Sequence, residues 1–304
     1  MKLVNPEIRI ENCSMCNSKC TLCPRELMTR KQTTMPLKHF KGLVDEAKTL
    51  GATTVSVFGF GEPLIDATIT KKISYCTTKG LDTFITTNAS LLDVNMASYL
   101  LNAGLKHIRF SVHGLHPETY ERIHRGLKFS KVMRNIYNFL AMNNMKYDGV
   151  CKTSVTIIPT AGESVEEIRE YWEDKVTWLE VWKPHGWAGK RDYREKPTNK
   201  TGKLKSCNRP FSGPIQIQAD GTMIPCCFLT DSEIVLGTTY ENSIEEILKG
   251  EKYEKLRRAH KRGTVGRYPC ANCDQLNKHD EPLIYSNRDG GKGFTSSIKF
   301  NLGD

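Results

Sequence analysis

Short runs of β-branched and aromatic residues alternate along this chain with longer stretches whose apolar positions recur every three or four residues. The runs Glu7–Glu11, Thr54–Phe58, Thr83–Thr86, His107–Val112, Thr153–Ile158 and Trp178–Trp182 predict strands. Between the first two, Leu37, Phe40, Val44, Ala47 and Leu50 share one helical face, which Gly51 ends. Leu92, Met96 and Leu100 form a second stripe, and Val132, Ile136 and Leu140 a third. Strand–helix alternation repeated about six times argues for parallel strands joined by right-handed crossovers. Six units fall short of the eight that close a barrel, so residues 1–182 are expected to form an open α/β partial barrel.

From Lys183 the pattern lapses, and residues 183–206 read as a polar connection containing Gly and Pro. Ile215 and Ile217 then alternate with Gln216 and Gln218. Asp220-Gly221 follows, and Thr222–Pro225 makes a second short run, which together signal a hairpin. Ser243 and Glu246 form a capping box opening a helix that Gly250 can close. Residues 207–285 are thus a smaller α+β unit, and 286–304 a tail rich in Gly, Ser, Asn and Lys.

A length of 304 residues suffices for one large, well-buried domain with a smaller attachment. No apolar run approaches the roughly 18 residues of a spanning helix, and Met1–Pro6 lacks the apolar core of a signal peptide. A cytoplasmic protein without a membrane partner is expected. In that reducing compartment, eleven cysteines grouped in close pairs point to metal ligation rather than disulfides. The net charge of +10 would suit nucleic acid. The lysines are scattered, however, so the charge reads as a solvated surface and nucleic acid is not the expected partner.

Cys16, Cys20 and Cys23 read C-x3-C-x2-C just after the first strand. Three thiolates on one loop can hold three irons of a cubane cluster and leave the fourth open. Adding Cys13 makes a four-thiolate set that would equally suit tetrahedral zinc. With the downstream motifs, the chain resembles the radical S-adenosylmethionine (SAM) superfamily over roughly residues 7–182. The resemblance implies a partial (β/α)6 TIM-like barrel, with a 4Fe–4S cluster on Cys16, Cys20 and Cys23 and SAM on the open iron. It also implies reductive cleavage of SAM to a 5′-deoxyadenosyl radical, with electrons from a flavodoxin- or ferredoxin-type donor.

Gly59-Phe60-Gly61-Glu62-Pro63 is similar to the family's Gly-Gly-Glu-Pro, with Phe60 where glycine is frequent. The resemblance implies that Gly59, Gly61 and Glu62 receive SAM's ammonium group. Thr87-Asn88-Ala89 resembles its Thr-Asn-Gly, and Asn88 either contacts SAM or caps the helix beginning near Leu91. Ser111 is implied to bond SAM's ribose or carboxylate. Arg125 is implied to reach that carboxylate, although a surface arginine would look the same. Ile158 packs the adenine or belongs to the core. His113 is a candidate base toward a substrate radical, or a structural histidine.

Cys207, Cys226, Cys270 and Cys273 resemble the SPASM/Twitch extension of these enzymes, with Gly221 preceding Cys226. No cysteine follows Cys273, which fits the shorter Twitch form with one auxiliary 4Fe–4S cluster; zinc would accept the same four ligands. Cys227 is left over as an alternative ligand, a hydrogen-atom donor or an inert thiol. The resemblance implies a radical SAM oxidoreductase of the 2-deoxy-scyllo-inosamine dehydrogenase type, which oxidises or epimerises a small polyol or aminosugar. A precursor-peptide maturase and, in another class, a zinc-stabilised nucleic-acid-binding protein are the alternatives.

Overall fold

The computed structural model describes residues 2–159, 163–191, 204–276 and 283–288; linker residues 192–203 and the tail beyond 288 lie outside them. The six expected strands are β1 (Glu7–Ile10), β2 (Thr54–Ser56), β3 (Asp82–Thr87), β4 (His107–Ser111), β5 (Lys152–Ile157) and β6 (Trp178–Trp182). Each pairs in parallel with the next. The crossovers carry α1 (Leu37–Thr49), α2 (Ile69–Thr78), α3 (Val94–Asn102), α4 (Pro117–Ile123), α5 (Phe129–Tyr147) and α6 (Val165–Trp172). The sheet does not close, so the fold is an open α/β barrel.

Helix α1 buries Phe40, Val44 and Ala47 as the stripe required, and Gly51 beyond its end has φ +89°, a conformation that favours glycine. Helix α3 starts later than its stripe suggested. Asp93 caps it by accepting the Met96 N–H at 2.8 Å, so Asn88 is not the cap. The hairpin and capping box are both present, as β7 (Ile215–Ile217) with β8 (Thr222–Ile224), and at the start of α8 (Ile244–Lys249). Helices α7 (Arg209–Ser212), before the hairpin, and α9 (Glu251–Arg262), after α8, complete the C-terminal part.

That part continues the barrel's own sheet. β7 lies parallel to β1, with Ile8 opposite Ile215, and β9 (Gly237–Thr238) follows β8. At the other edge β10 (Leu283–Ser286) runs antiparallel to β6. The order is β10-β6-β5-β4-β3-β2-β1-β7-β8-β9.

Along the barrel strands, alternate residues face opposite sides. Ile8, Ile10, Val55, Ile108, Phe110, Val155, Leu179 and Val181 join the apolar core. The intervening positions carry charge. Glu7 pairs with Arg9 at 2.7 Å and accepts the Ser56 hydroxyl at 2.6 Å; Arg109 and Arg288 both pair with Glu180. His107 stacks on Phe84 with centroids 4.2 Å apart. This layer fills the barrel's interior and leaves the loops at the strands' C-terminal ends as the place for chemistry.

A second buried pair braces the helical layer. Lys72, fully buried on α2, lies 2.6 Å from Asp66 and also donates to the Met35 carbonyl. Replacing Lys72 by Met strands the Asp66 charge in the interior. We expect a loss of about 3–5 kcal/mol in urea unfolding of the metal-free chain.

Candidate active site

The cysteine loop leaves β1 and is fastened on both sides. Upstream, the Ser14 N–H donates to the Thr33 carbonyl at 2.9 Å. Downstream, the Lys19 N–H bonds the Arg125 carbonyl and the Thr21 N–H the Ile123 carbonyl, both at 2.9 Å. Cys16, Cys20 and Cys23 are therefore held at the mouth, each half-buried. Burial pushes Cys16 up to about 11 and Cys23 up to about 12, and raises Cys20. Three half-buried thiols on one short loop become thiolates when a bound cation compensates them, a donor set that fits an iron–sulfur cluster. Among the described residues no three His, Cys, Asp or Glu side chains converge on a single-ion site.

The Gly59–Glu62 turn after β2 is laced to this loop. The Phe60 N–H donates to Glu11 and the Glu62 N–H to the Met15 carbonyl, both at 2.8 Å. A Cβ on Gly61 would run into the carbonyl oxygens of Cys13 and Met15, and one on Gly59 into the buried Glu11 side chain. Only glycine lets the two loops approach this closely.

Glu62 is buried at the end of β3. It accepts the Thr87 hydroxyl at 2.6 Å, the Asn88 N–H at 2.8 Å and the Leu64 N–H at 3.1 Å. Burial raises its carboxyl to about 7, against the pull of those donors. Its ordinary value is near 4.3, so the folded chain holds the extra proton between the two values. Stability from this group is therefore full at low pH and is lost as pH rises from about 4.3 to 7, on the order of 3 kcal/mol. Glu62→Gln should flatten that part of the stability–pH curve in urea titrations of the metal-free chain.

Asn88 reaches sideways. Its Nδ2 donates to Asn17, inside the cysteine motif, at 3.0 Å, and its Oδ1 accepts from Ser90. Ser111 stands half-buried at the end of β4. Ile158, partly exposed after β5, gives its N–H to His113 Nδ1 at 3.1 Å. The His113 proton thus sits on Nε2, and burial lowers its imidazole to about 4. With that lone pair engaged, the ring works as a strut between β4 and β5 rather than as an open base. Arg125 lends its backbone carbonyl to the cysteine loop, and the residue is exposed.

The four downstream cysteines come together from three segments. Cys207 precedes α7, Cys226 follows β8, Cys270 lies within a 3-10 turn at Pro269–Asn272, and Cys273 follows that turn. All four line one hollow, with Arg209, Pro225, Phe228 and Leu256. Burial pushes Cys270 up to about 11 and Cys273 up to about 12, so this donor set too fits a group that supplies positive charge. Cys227 stands outside the lining, with Arg209 Nη1 3.5 Å from its Sγ. A hydrogen bond from Cys226 holds the Cys227 thiol well below its ordinary value despite burial, and Arg209 and Arg9 add to the effect.

Between the two cysteine sites lies an aromatic wedge. Trp187 donates Nε1–H to the Leu22 carbonyl at 2.9 Å and packs against Phe60, His185 and Phe228. Trp187 and Ala188 take φ of 49° and 56°, and Asp274 receives the adjoining Gly186 N–H at 2.6 Å. Backbone held in this sparsely populated region costs energy and is concentrated where a site over-determines it. The motifs single out none of His124, Arg209 and Asp274 as site residues. The one available signal was adjacency, since His124 precedes Arg125 and Arg209 follows Cys207 by two.

A cysteine loop, a glycine turn and a four-thiol hollow gathered at the mouth of an open barrel define an iron–sulfur enzyme. A family model, the radical SAM superfamily, matches residues 13–173, more than half the chain, and the protein belongs to that superfamily. An iron–sulfur cluster-binding domain, SPASM, matches residues 207–274. The radical SAM domain binds a 4Fe–4S cluster and SAM, and the SPASM region an auxiliary iron–sulfur cluster. This removes the zinc-stabilised nucleic-acid-binding alternative.

Among solved structures, BtrN in complex with AdoMet and 2-DOIA is 21% identical with a TM-score of 0.62, over 94% of this chain and 100% of that one. Streptococcus suis SuiB bound to precursor peptide SuiA is 18% identical with a TM-score of 0.66, over 83% and 66%. These likenesses are of fold. A GTP 3′,8-cyclase of Desulforamulus reducens is 34% identical over 141 residues, 44% of this chain and 42% of that protein. The chain spans about half or less of such curated relatives. Among the described residues no helix is long and apolar enough to cross a membrane.

Proposed function

We propose that this radical SAM enzyme carries out a two-electron oxidation of a small polyol or aminosugar lying between its two cysteine sites. Cys16, Cys20 and Cys23 would hold the SAM-binding cluster, and Cys207, Cys226, Cys270 and Cys273 the auxiliary one. The observation that carries the reading is the second hollow, which four thiols line. A cluster with every iron ligated by protein does not bind substrate, which suits it to electron acceptance. The extent of the likeness to BtrN, along its whole length, supports a substrate of that size.

When bound, SAM and its cluster supply a 5′-deoxyadenosyl radical able to take a hydrogen atom from carbon. Gly59 and Gly61 would let the turn's backbone approach SAM's ammonium group, as they already let it approach the cysteine loop. The Trp187 wedge excludes water between the sites. Cys227 Sγ, 3.5 Å from Arg209 Nη1, would take the proton that the oxidised carbon's hydroxyl must lose.

Cys227→Ala is expected to keep its iron and its SAM cleavage while product formation falls roughly 10²–10⁴-fold, the usual size of a lost proton acceptor. Anaerobic assays over a panel of aminocyclitols and aminosugars test the whole reading. One 5′-deoxyadenosine per oxidised product supports it. A product of unchanged oxidation state carrying solvent hydrogen would make Cys227 the donor of an epimerase. Turnover of a peptide in place of any sugar, for which the SuiB likeness leaves room, would replace the reading with maturation.

A further inference from the structure

His124 lies at the end of α4, 1% exposed, and is tied to the cysteine loop, to the end of β4 and to its own helix. Its Nδ1 is 3.3 Å from Cys20 Sγ, and its Nε2 accepts the His113 backbone N–H at 3.0 Å. Its ring stacks between Tyr120 and His113, at 4.4 and 5.1 Å between centroids. A nitrogen that accepts a backbone N–H has its lone pair engaged, so the one proton of this neutral imidazole sits on Nδ1. The contact with Cys20 therefore runs from Nδ1–H to sulfur. Ser18 Oγ lies 3.1 Å from the same sulfur and 3.2 Å from the Arg125 carbonyl, so its single O–H is shared between two acceptors and His124 is the dedicated side-chain donor. Cys16 and Cys23 instead receive backbone N–H groups, from Ser18 and Arg25. Side-chain donation is thus concentrated on one of the three thiolates.

Hydrogen bonds to ligating sulfur withdraw negative charge and favour the more negative, reduced cluster; they are one of the protein's levers on potential. We propose that His124 is a positioning residue that raises the reduction potential of the SAM-site cluster through its Nδ1–H bond to Cys20. The His113 backbone and the Ile158 N–H behind it hold the donor in place. A string of hydrogen bonds thus runs from the end of β5, through the end of β4, to the cysteine loop. The inference rests on reading Cys16, Cys20 and Cys23 as the cluster's ligands.

The test is an EPR-monitored redox titration of the full, reconstituted chain, following the signal that changes on adding SAM. His124→Phe keeps a stacked ring but has no donor, and its potential should move negative. His124→Asn places an amide N–H near the position of Nδ1, and its potential should stay close to that of the unaltered chain. A Phe variant loaded with iron at unchanged potential overturns the proposal. So does an Asn variant that falls as far as Phe, which would make the effect one of packing. Should the Phe variant lose its iron, the bond is read in the unaltered protein. With 15N-labelled histidine, the reduced SAM-site cluster should show hyperfine coupling to one imidazole nitrogen, and its absence overturns the proposal. An unaltered chain that loads no iron on the triad sinks the ligand reading itself, a result distinct from an iron-loaded variant whose potential stays put.

Discussion

Replacing Cys16, Cys20 and Cys23 together by alanine is expected to remove about four irons per chain and to end SAM cleavage altogether. The fold should survive. The loop is held by backbone bonds that alanine preserves: Lys19 to Arg125, Thr21 to Ile123, and Glu62 to Met15. The three thiols are only half-buried, so their loss leaves no large cavity in the core. Iron analysis, the broad absorption of the reconstituted protein and chromatography of 5′-deoxyadenosine decide it. A triple variant that still cleaves SAM would move the cluster to other residues and undo the reading of the loop.

Cys270→Ala with Cys273→Ala should separate the two sites. About half the iron should be lost, while SAM is still cleaved when reductant is supplied. Product should disappear, because the substrate radical then has no oxidant within reach. The expected signature is 5′-deoxyadenosine accumulating without matching oxidised substrate. The geometry supports independence, since these cysteines lie on a 3-10 turn after α9 and the first triad on the loop after β1. Loss of SAM cleavage in the double variant would show that the Trp187 wedge couples the sites structurally and that the hollow does more than accept electrons.

What could be read along the chain was local. The alternation of Ile8 and Ile10 with Glu7 and Arg9 marks a strand whatever it pairs with. Asp220-Gly221 marks a turn because its glycine takes φ +82°. The Cys16–Cys23 spacing marks a ligand loop because three thiolates of one site must lie on a short tether. Helix α3 starts later than its apolar stripe, because Leu92 continues the stripe while Asp93, one residue on, supplies the cap. The contacts that position the site were not legible. Cys20 and His124 are 104 residues apart, and Leu22 and Trp187 are 165 apart. Periodicity carries no information at such separations.

The sequence by itself determined the strand–helix alternation, the two groups of cysteines and the glycine turn between them, since each depends on neighbours within a few residues. Tertiary structure alone decided that β7 joins β1, so that both cysteine groups share one sheet. It decided that Arg209 meets Cys227, that four distant thiols line one hollow, and that an imidazole N–H meets Cys20. Those outcomes depend on which distant side chains burial forces together, and a buried polar group must find its partner wherever the packed chain brings one.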